Sequence, residues 1–387
     1  MCGIVGFTGR ENALPILIKG LYSLEYRGYD SAGVAAFTKD GLRVVKARGR
    51  IANLEEKIKE EGGDMYCTCG IGHTRWATHG EPSDRNSHPH LGGKGKVAVV
   101  HNGIIENYKE LRERLEAHGY EFKSETDTET VAHLVDYLHT GKQEDLAKTV
   151  LQAVQRLRGS YALGVVSMDN TQEIVAARRG NPLVIGIGEG ENMIASDITA
   201  IINRTKRYII LDDNEVAIVR PDSVVVMNEF GDTVEKEIMT VTWDMSAAEK
   251  GGYQHFMLKE IMEQPNAIKS TIEPRIQNGE VVLDDFSLTD EDLRQINKIM
   301  ITACGSAFYA GSVGKYVMEE LCRIPVEADL ASELRYRNPL VDEHTLLVVV
   351  SQSGETADTI AAMKHMGLSR QEALALVDQL WKEGETP

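Results

Sequence analysis

The first 240 residues combine amphipathic helical patterns with short β-rich runs. Leucine and valine at helical spacing predict four helices, around Leu14–Leu24, Leu111–Leu115, Val131–Leu138 and Leu146–Leu157. Thr126 and Glu129 have the spacing of a capping box at the start of the third helix. The β-rich runs are 98–100, 160–166, 173–177, 183–187, 208–211 and 215–219. Because Gly, Asn and Asp turns join many of these runs, the pattern favours stacked antiparallel sheets over a βαβ series.

The pattern changes after about Trp243. Residues 244–252 are polar, contain a Gly-Gly pair and are typical of a linker. A helix is predicted near Met257–Ile261, and from Lys298 onwards strand and helix patterns alternate. The predicted strands of this part are 299–303, 326–330 and 346–350. Such alternation indicates a parallel α/β unit, so we expect two domains with a boundary at 240–250.

Composition narrows the class of protein. The 387 residues include 42 Lys and Arg against 59 Asp and Glu, which gives a net charge of −17. An acidic chain lacks the basic surface that binds nucleic acid. The longest apolar runs, such as 346–350, are too short to cross a membrane. With no signal-peptide pattern and only five Cys, we expect a cytoplasmic protein without nucleic-acid or membrane partners.

The amino terminus carries a candidate nucleophile. Removal of Met1 would leave Cys2 with a free α-amino group, whose pKa of about 7.7–8 suits a base at neutral pH. A thiol becomes a strong nucleophile when a neighbouring base removes its proton. One residue would then supply both groups. The alternative is that Cys2 packs as a small apolar side chain.

Three further segments carry polar groups suited to a bound amino acid. Arg75 lies in a Gly-bounded loop and has the fork that holds a carboxylate, although it could equally be structural. Asn102 and Gly103 follow a predicted strand and could form an oxyanion hole or a simple Asn-Gly turn. Asp127 begins a helix, where it either caps the helix or binds an ammonium group.

Together these segments resemble the class II, amino-terminal-nucleophile glutamine amidotransferases. The motifs CGIVG, EYRGYDSAG, HTRWATHG, HNGIIEN and SETDTE occur in order within residues 2–240. The resemblance implies a four-layer αββα sandwich of the α+β class. It also implies that Cys2 attacks the glutamine amide while Asn102 and Gly103 hold the oxyanion. The glutamine-binding residues that it implies are Arg27, Gly28, Arg75, Trp76, Thr78, His79 and Asp127.

A zinc site is the competing interpretation of this region. Five histidines lie within thirty positions and follow a Cys-x-Cys pair. The pair has no second matching half and lacks the usual ligand spacing. We therefore expect Cys67 and Cys69 to be ordinary thiols, and we expect no metal and no nucleotide cofactor.

The second part contains a candidate phosphate site. The motif SQSGET (351–356) follows an apolar strand and precedes a helix. Hydroxyl groups and helix N–H groups at the carboxyl end of a parallel strand can bind a phosphate. A serine-rich turn that merely caps the next helix has the same sequence, so the spacing alone leaves both interpretations open.

Its surroundings resemble one family, the glutamine–fructose-6-phosphate aminotransferases. The motifs SQSGETADT, HFMLKEIMEQP, ITACGSA and ASELRYR carry the resemblance. It implies transfer of the glutamine amide nitrogen to fructose 6-phosphate, which gives glucosamine 6-phosphate and glutamate, and it suggests a homodimer. The sugar-phosphate residues that it implies are Cys304, Gly305, Ser306, Ser351, Gln352, Ser353 and Thr356.

Two features depart from this family. Many members carry Thr-Ser where this chain has Ser306 and Ala307. The resemblance also fades after Met363, and the family's later segments supply the Glu, His and Lys used on the sugar. We therefore expect a truncated member that hydrolyses glutamine without making the amino sugar; the alternatives are a non-catalytic sugar-phosphate-binding or assembly partner and a poorly folded fragment. The predicted organisation is a glutaminase (2–240), a linker (241–255), a partial sugar isomerase domain (256–364) and a divergent helical tail (365–387).

Overall fold

The computed structural model describes residues 2–25, 28–61, 66–77, 79–139, 146–241, 253–283, 288–351 and 356–366. The chain divides into two compact units, Met1–Thr242 and Trp243–Pro387. The predicted linker 244–252 and the predicted tail from residue 367 onwards lie outside the described residues. No helix among the described residues is long and apolar enough to cross a membrane.

Two antiparallel sheets form the centre of the first unit. Within the described residues, one sheet has the order β15-β11-β9-β10-β1-β4-β2-β3 and the other β14-β13-β12-β8-β7-β6-β5. The strands of the first sheet are β1 (Gly3–Thr8), β2 (Ser31–Thr38), β3 (Gly41–Arg48), β4 (Cys69–Arg75), β9 (Val184–Ile187), β10 (Asn192–Ala195), β11 (Arg207–Ile210) and β15 (Met239–Thr240). Those of the second sheet are β5 (His90–Leu91), β6 (Val97–Ile105), β7 (Gly159–Ser167), β8 (Asn170–Arg179), β12 (Val216–Arg220), β13 (Ser223–Met227) and β14 (Thr233–Val234).

Helices cover the outer face of each sheet. Their bounds are α1 (Ala13–Leu24), α2 (Ile51–Glu60), α3 (Tyr108–Ala117), α4 (Asp127–Leu138) and α5 (Leu146–Val154), with a 3-10 turn at Ile198–Ala200. Ile4 of β1 belongs to the core between the two sheets, whereas Val5 packs in the core beneath α1 and α2. A third core joins the second sheet to α3, α4 and α5. This is the predicted four-layer αββα sandwich, and the four helices predicted from the hydrophobic spacing are present.

The start of α4 differs from the predicted capping box. Thr126 caps the helix, since its hydroxyl accepts a hydrogen bond from the Glu129 N–H at 3.4 Å. The Glu129 carboxylate instead accepts from the N–H groups of Lys123 and Ser124, at 2.9 and 2.6 Å. Only half of the reciprocal capping box therefore forms, because the carboxylate is used to hold the chain that leads into the helix.

The second unit contains a small parallel sheet, β18 (Lys298–Ala303), β19 (Val326–Leu330) and β20 (Thr345–Val350), in the order β19-β18-β20. Both pairings are parallel, as the alternating pattern predicts. The remaining elements of the described residues are a hairpin of β16 (Ile276–Gln277) and β17 (Glu280–Val281), a 3-10 turn (Glu273–Arg275), and the helices α6 (Phe256–Ile272), α7 (Asp290–Gln295), α8 (Gly305–Cys322), α9 (Ala331–Arg337) and α10 (Ala357–His365). Helix α6 is longer than predicted and continues through Pro265.

Candidate active site

Cys2 lies at the beginning of β1, beside the end of β4. The two strands pair with Gly3 opposite Thr74, so Cys2 meets the chain just after β4. The Trp76 N–H donates a hydrogen bond to Cys2 Sγ at 3.2 Å. Burial raises the pKa of the Cys2 thiol, while the Trp76 N–H and the Arg75 charge act in the opposite direction. The thiol thus needs a base to lose its proton, and a donor is already in place for the thiolate.

Asn102 and Gly103 lie within strand β6, not in a turn. The Asn102 Nδ2 group donates to the Cys2 carbonyl oxygen at 3.2 Å, so this amide borders the candidate nucleophile, Cys2. Gly103 has a φ of 129°, a conformation that side chains disfavour. A Cβ at residue 103 would also overlap the Ser160 carbonyl oxygen of the neighbouring strand β7. Glycine is required here because two strands approach closely at a left-handed residue.

Arg75 is the buried last residue of strand β4, not a loop residue as the sequence predicts, and it is bound to the loop that follows the strand. Its guanidinium donates to the carbonyl oxygens of His79, Gly80 and Glu81, the last two at 2.9 and 3.4 Å. The Arg75 side chain therefore orders residues 79–81, which supports the structural interpretation of this residue. A guanidinium has five N–H donors, so these bonds leave capacity for a ligand carboxylate.

Asp127 is the first residue of α4, but Thr126 is the capping residue. The Asp127 carboxylate is buried and accepts a hydrogen bond from the Ile105 N–H at 2.9 Å. This bond joins the start of α4 to the end of β6, two residues after Gly103. The structure therefore places the carboxylate next to the end of the strand that carries Asn102.

Of the other predicted glutamine-binding residues, the structure describes Trp76, His79 and Gly28. Trp76 is half exposed, and its ring contacts the Tyr29 ring edge-on with centroids 5.4 Å apart. His79 contacts the Tyr108 ring edge-on at 5.2 Å. Gly28 is buried and donates to the Glu25 carbonyl oxygen at 3.3 Å. Arg27 and Thr78 lie outside the described residues.

In the second unit, predicted sugar-phosphate residues lie at the carboxyl ends of β18 and β20. Gly305 begins α8 with a φ of 56°, and the Thr359 hydroxyl donates to Cys304 Sγ at 3.6 Å. Ser351 Oγ and Thr356 Oγ1 are 3.3 Å apart. Ser306 is exposed in the first turn of α8. Gln352 and Ser353 lie outside the described residues.

Two residues with a part in this geometry were given no catalytic or glutamine-binding role from the sequence, although His73 is one of the five histidines considered above for a zinc site. Asp30 accepts a hydrogen bond from the Ala77 N–H and so holds the chain that follows Trp76. His73 bonds to the Asn102 side chain. Asp30 lies inside the EYRGYDSAG motif and His73 begins HTRWATHG, so their motifs contained the signal, but no spacing rule assigns either contact.

The described residues contain no group of three or more His, Cys, Asp or Glu arranged to hold a metal ion. Cys67 and Cys69, which are separated by one residue, are both buried. Burial raises the pKa of the Cys67 thiol to about 11 and that of Cys69 to about 12. Both thiols are therefore protonated and unreactive at neutral pH.

Models of two protein families match segments of the chain, one in each unit. A glutamine amidotransferase domain model matches residues 73–203, and a SIS domain model matches residues 292–380. The second match extends beyond Met363 and so includes part of the segment that we predicted to diverge.

Curated relatives match almost the whole chain. An aminotransferase from Clostridium tetani, named glutamine–fructose-6-phosphate aminotransferase (isomerizing), is 54% identical over 94% of this chain. Proteins of the same name from Caldanaerobacter subterraneus and Methanosarcina acetivorans are 54% and 47% identical over 98% and 95% of it. This chain is a homologue of those aminotransferases. It spans 59% to 62% of the length of these three relatives.

Solved structures agree on the fold. A glutamine phosphoribosylpyrophosphate amidotransferase from B. subtilis matches with a TM-score of 0.52 at 20% identity, covering 84% of this chain and 65% of its own. An allosteric regulatory enzyme of purine biosynthesis matches with the same TM-score at 22% identity. At this level of identity the likeness shows the fold alone, and it supports the amidotransferase sandwich that the sequence predicts.

Proposed function

We propose that the first unit hydrolyses the side-chain amide of glutamine, with Cys2 Sγ as the nucleophile. The observation that carries the proposal is the arrangement around Cys2. The Trp76 N–H donates to its sulfur at 3.2 Å, and the Asn102 amide donates to its carbonyl oxygen at 3.2 Å. A nucleophile with donors for both the thiolate and a nearby oxyanion is suited to acyl transfer.

The reaction begins once Met1 has been removed. The Cys2 α-amine takes the thiol proton, and the thiolate adds to the amide carbon of glutamine while the carbonyl electron pair moves to oxygen. The Asn102 side chain and the Gly103 N–H stabilise that oxyanion. Its collapse expels ammonia, which leaves with the proton held by the amine. Water then hydrolyses the glutamyl thioester, releasing glutamate and restoring the thiol.

Side chains around Cys2 select the amino-acid end of the substrate. We assign Arg75 to the glutamine carboxylate and Asp127 to its ammonium group, because each pairs opposite charges in a buried setting. Trp76 and His79 line the pocket. By resemblance to the class II glutamine amidotransferases, we also assign Arg27, Gly28 and Thr78 to glutamine binding.

We further propose that the second unit binds fructose 6-phosphate as the acceptor of the ammonia nitrogen, giving glucosamine 6-phosphate in the whole protein to which this chain corresponds. The names of the relatives support this substrate. Hydroxyl groups at the ends of parallel strands support a phosphate site. Its residues are Cys304, Gly305, Ser306, Ser351, Gln352, Ser353 and Thr356. That the protein is cytoplasmic and forms a homodimer remains a prediction. Sedimentation of the purified chain would test whether it is a dimer.

Glutamate release from glutamine tests the proposal, measured with and without fructose 6-phosphate. Cys2→Ala should lower the rate by at least about 1,000-fold, since no other thiol can form the thioester. Cys322→Ala, at an exposed thiol in the second unit, is the matched control and should leave the rate unchanged. Intact mass identifies chains that retain Met1. A Cys2→Ala rate near that of the wild type would refute the assignment of Cys2 as the nucleophile, and a rate unchanged by fructose 6-phosphate would show that glutamine hydrolysis in this chain is not coupled to sugar binding.

A further inference from the structure

Four buried histidines lie behind the residues proposed for catalysis. They are at most 5% exposed and come from β4, the loop before β5, β5 itself and β6: His73, His88, His90 and His101. The His73 and His88 rings are stacked, with centroids 4.1 Å apart and planes inclined by 23°. The proposed reaction uses none of these rings, although residue 101 directly precedes Asn102.

The protonation state of His73 follows from its partners. His73 Nε2 lies 3.0 Å from the His101 carbonyl oxygen and 3.0 Å from Asn102 Oδ1. Neither oxygen can donate a hydrogen bond, so Nε2 must carry the hydrogen. Burial lowers the pKa of His73 to about 3, which leaves the ring neutral with Nδ1 unprotonated. The ring is thus a fixed donor at Nε2.

This donor determines which way the Asn102 amide points. With Oδ1 toward His73, the Asn102 Nδ2 group faces Cys2 and donates to its carbonyl oxygen. A rotated amide would place Nδ2 against the His73 N–H and Oδ1 against the Cys2 oxygen. Both contacts would then be repulsive. The amide hydrogens therefore stay on the side of the nucleophile.

His88 holds the same stretch of chain from the other side. Its Nδ1 atom accepts a hydrogen bond from the His101 N–H at 3.3 Å, so its hydrogen is on Nε2. Residue 101 is consequently bound through its N–H by one ring and through its carbonyl by the other. The stacked rings fix both the backbone and the side chain at the start of the proposed oxyanion hole.

We propose that His73 is a positioning residue, which orients the Asn102 amide so that its hydrogens face the oxyanion formed on the glutamine side chain. His88 supports it by stacking and by holding the backbone of residue 101. The proposal rests on the proposed function of the first unit, because the oxyanion arises only if Cys2 attacks glutamine.

The test compares three His73 variants with a buried histidine elsewhere. His73→Leu removes the donor and should lower kcat for glutamate release by about 100-fold, as loss of an oxyanion donor does, with KM within about threefold. His73→Gln places an amide N–H near the Nε2 position and should recover at least tenfold of this loss, whereas His73→Asn should not. His139→Leu is the control, because His139 follows the far end of α4 and bonds to Thr149 and Asp169.

Two further measurements separate positioning from general damage. Alkylation of Cys2 by iodoacetamide, followed by peptide mass, needs no oxyanion hole and should proceed at the wild-type rate in His73→Leu. In an Asn102→Ala background, His73→Leu should change kcat by less than about threefold, since its effect passes through Asn102.

Several outcomes would overturn the inference. These are a His73→Leu kcat equal to that of His139→Leu, the same loss in the Asn102→Ala background, or equal kcat in His73→Gln and His73→Asn. If His73→Leu does not fold, the comparison of kcat between His73→Gln and His73→Asn tests the positioning role of His73. Absence of glutamate release from the wild-type chain would refute the proposed function itself, whereas wild-type kcat in His73→Leu refutes only the role of His73.

Discussion

The two units differ in how they bury apolar side chains. The first unit packs two sheets face to face and covers both outer faces with helices, so its apolar residues fall into three buried clusters. The described part of the second unit has a three-stranded sheet with two small clusters. Its helix α8 exposes apolar residues at helical spacing, with Tyr309, Val313 and Tyr316 each at least 63% exposed. A closed sandwich buries the apolar faces of its own sheets and helices, whereas a short parallel sheet leaves apolar helix faces exposed.

The same difference extends to the candidate sites. In the first unit, Asn102 and Arg75 lie on strands of opposite sheets and are tied by several hydrogen bonds. In the second unit, Ser306 lies in the first turn of α8 and Thr356 directly precedes α10, where Thr356 Oγ1 is 3.3 Å from Ser351 Oγ. Residues on rigid strands hold a reactive geometry more accurately than residues in turns. We therefore expect substitutions and changes of pH to alter the stability of the two units to different extents.

Acid should weaken the first unit most. His73, His88 and His90 are buried and neutral, since burial lowers the pKa of each below the value of about 6.5 in an unfolded chain. Below pH 6.5 the unfolded state therefore binds protons that the folded state does not. Stability falls with pH until the folded pKa is reached, which for His73 is about 3. Linkage gives a loss of about 2 kcal/mol for His73 between pH 7 and pH 5, and the lowered pKa values of His88 and His90 act in the same direction.

Hydrogen exchange in each unit would measure this effect. Protection of peptides from β6, corrected for the intrinsic rate at each pH, should fall steeply between pH 7 and pH 5. Peptides from β18 provide the internal control, because the described residues of the second unit include no buried histidine. Equal pH dependence in β6 and β18 would show that the histidines are not held neutral.

Replacing a glycine of positive φ with alanine should destabilise the first unit more than the second. Gly103 and Gly305 both have positive φ, which costs an alanine about 1 kcal/mol. A Cβ at Gly103 would also overlap the Ser160 carbonyl oxygen, whereas one at Gly305 meets nothing within 4 Å. Gly103→Ala should thus lose about 2–4 kcal/mol and Gly305→Ala about 1 kcal/mol. Urea unfolding, followed by exchange in β6 and β18, compares the two, and equal losses would contradict the close approach.

The order of motifs in the sequence was enough to predict the sandwich but not all of its strands, and β1 and β4 are among those that were not predicted. Gly3, Gly6, Gly70 and Gly72 interrupt the hydrophobic pattern of those strands. The structure explains the glycines, because a Cβ at Gly6 would lie 2.7 Å from the Ile194 side chain and one at Gly70 2.7 Å from the Ala35 carbonyl oxygen. Because close packing requires glycine at these positions, the hydrophobic pattern from which strands are predicted is interrupted in β1 and β4.

Contacts between sheets were also beyond sequence reasoning. His73 and Asn102 lie on different sheets, so neither periodicity nor spacing relates them. The assignment of Asp127 as a possible cap failed for a similar reason. A cap is judged from the local sequence, but the partner that binds this carboxylate is the Ile105 N–H, which is brought close by the packing of α4 on β6.

The smallest expected effect concerns the exposed face of α8. Tyr316 is 71% exposed, so Tyr316→Gln removes little buried area and should change the free energy of unfolding of the second unit by less than about 0.5 kcal/mol. The same substitution at Tyr161, which is 1% exposed in the first unit, should cost about 3–5 kcal/mol. Exchange of β18 and β7 peptides in urea measures the two losses in their own units. A loss of 2 kcal/mol or more from Tyr316→Gln would show that this face is packed in solution, and the contrast between a closed first unit and an open second unit would then fail.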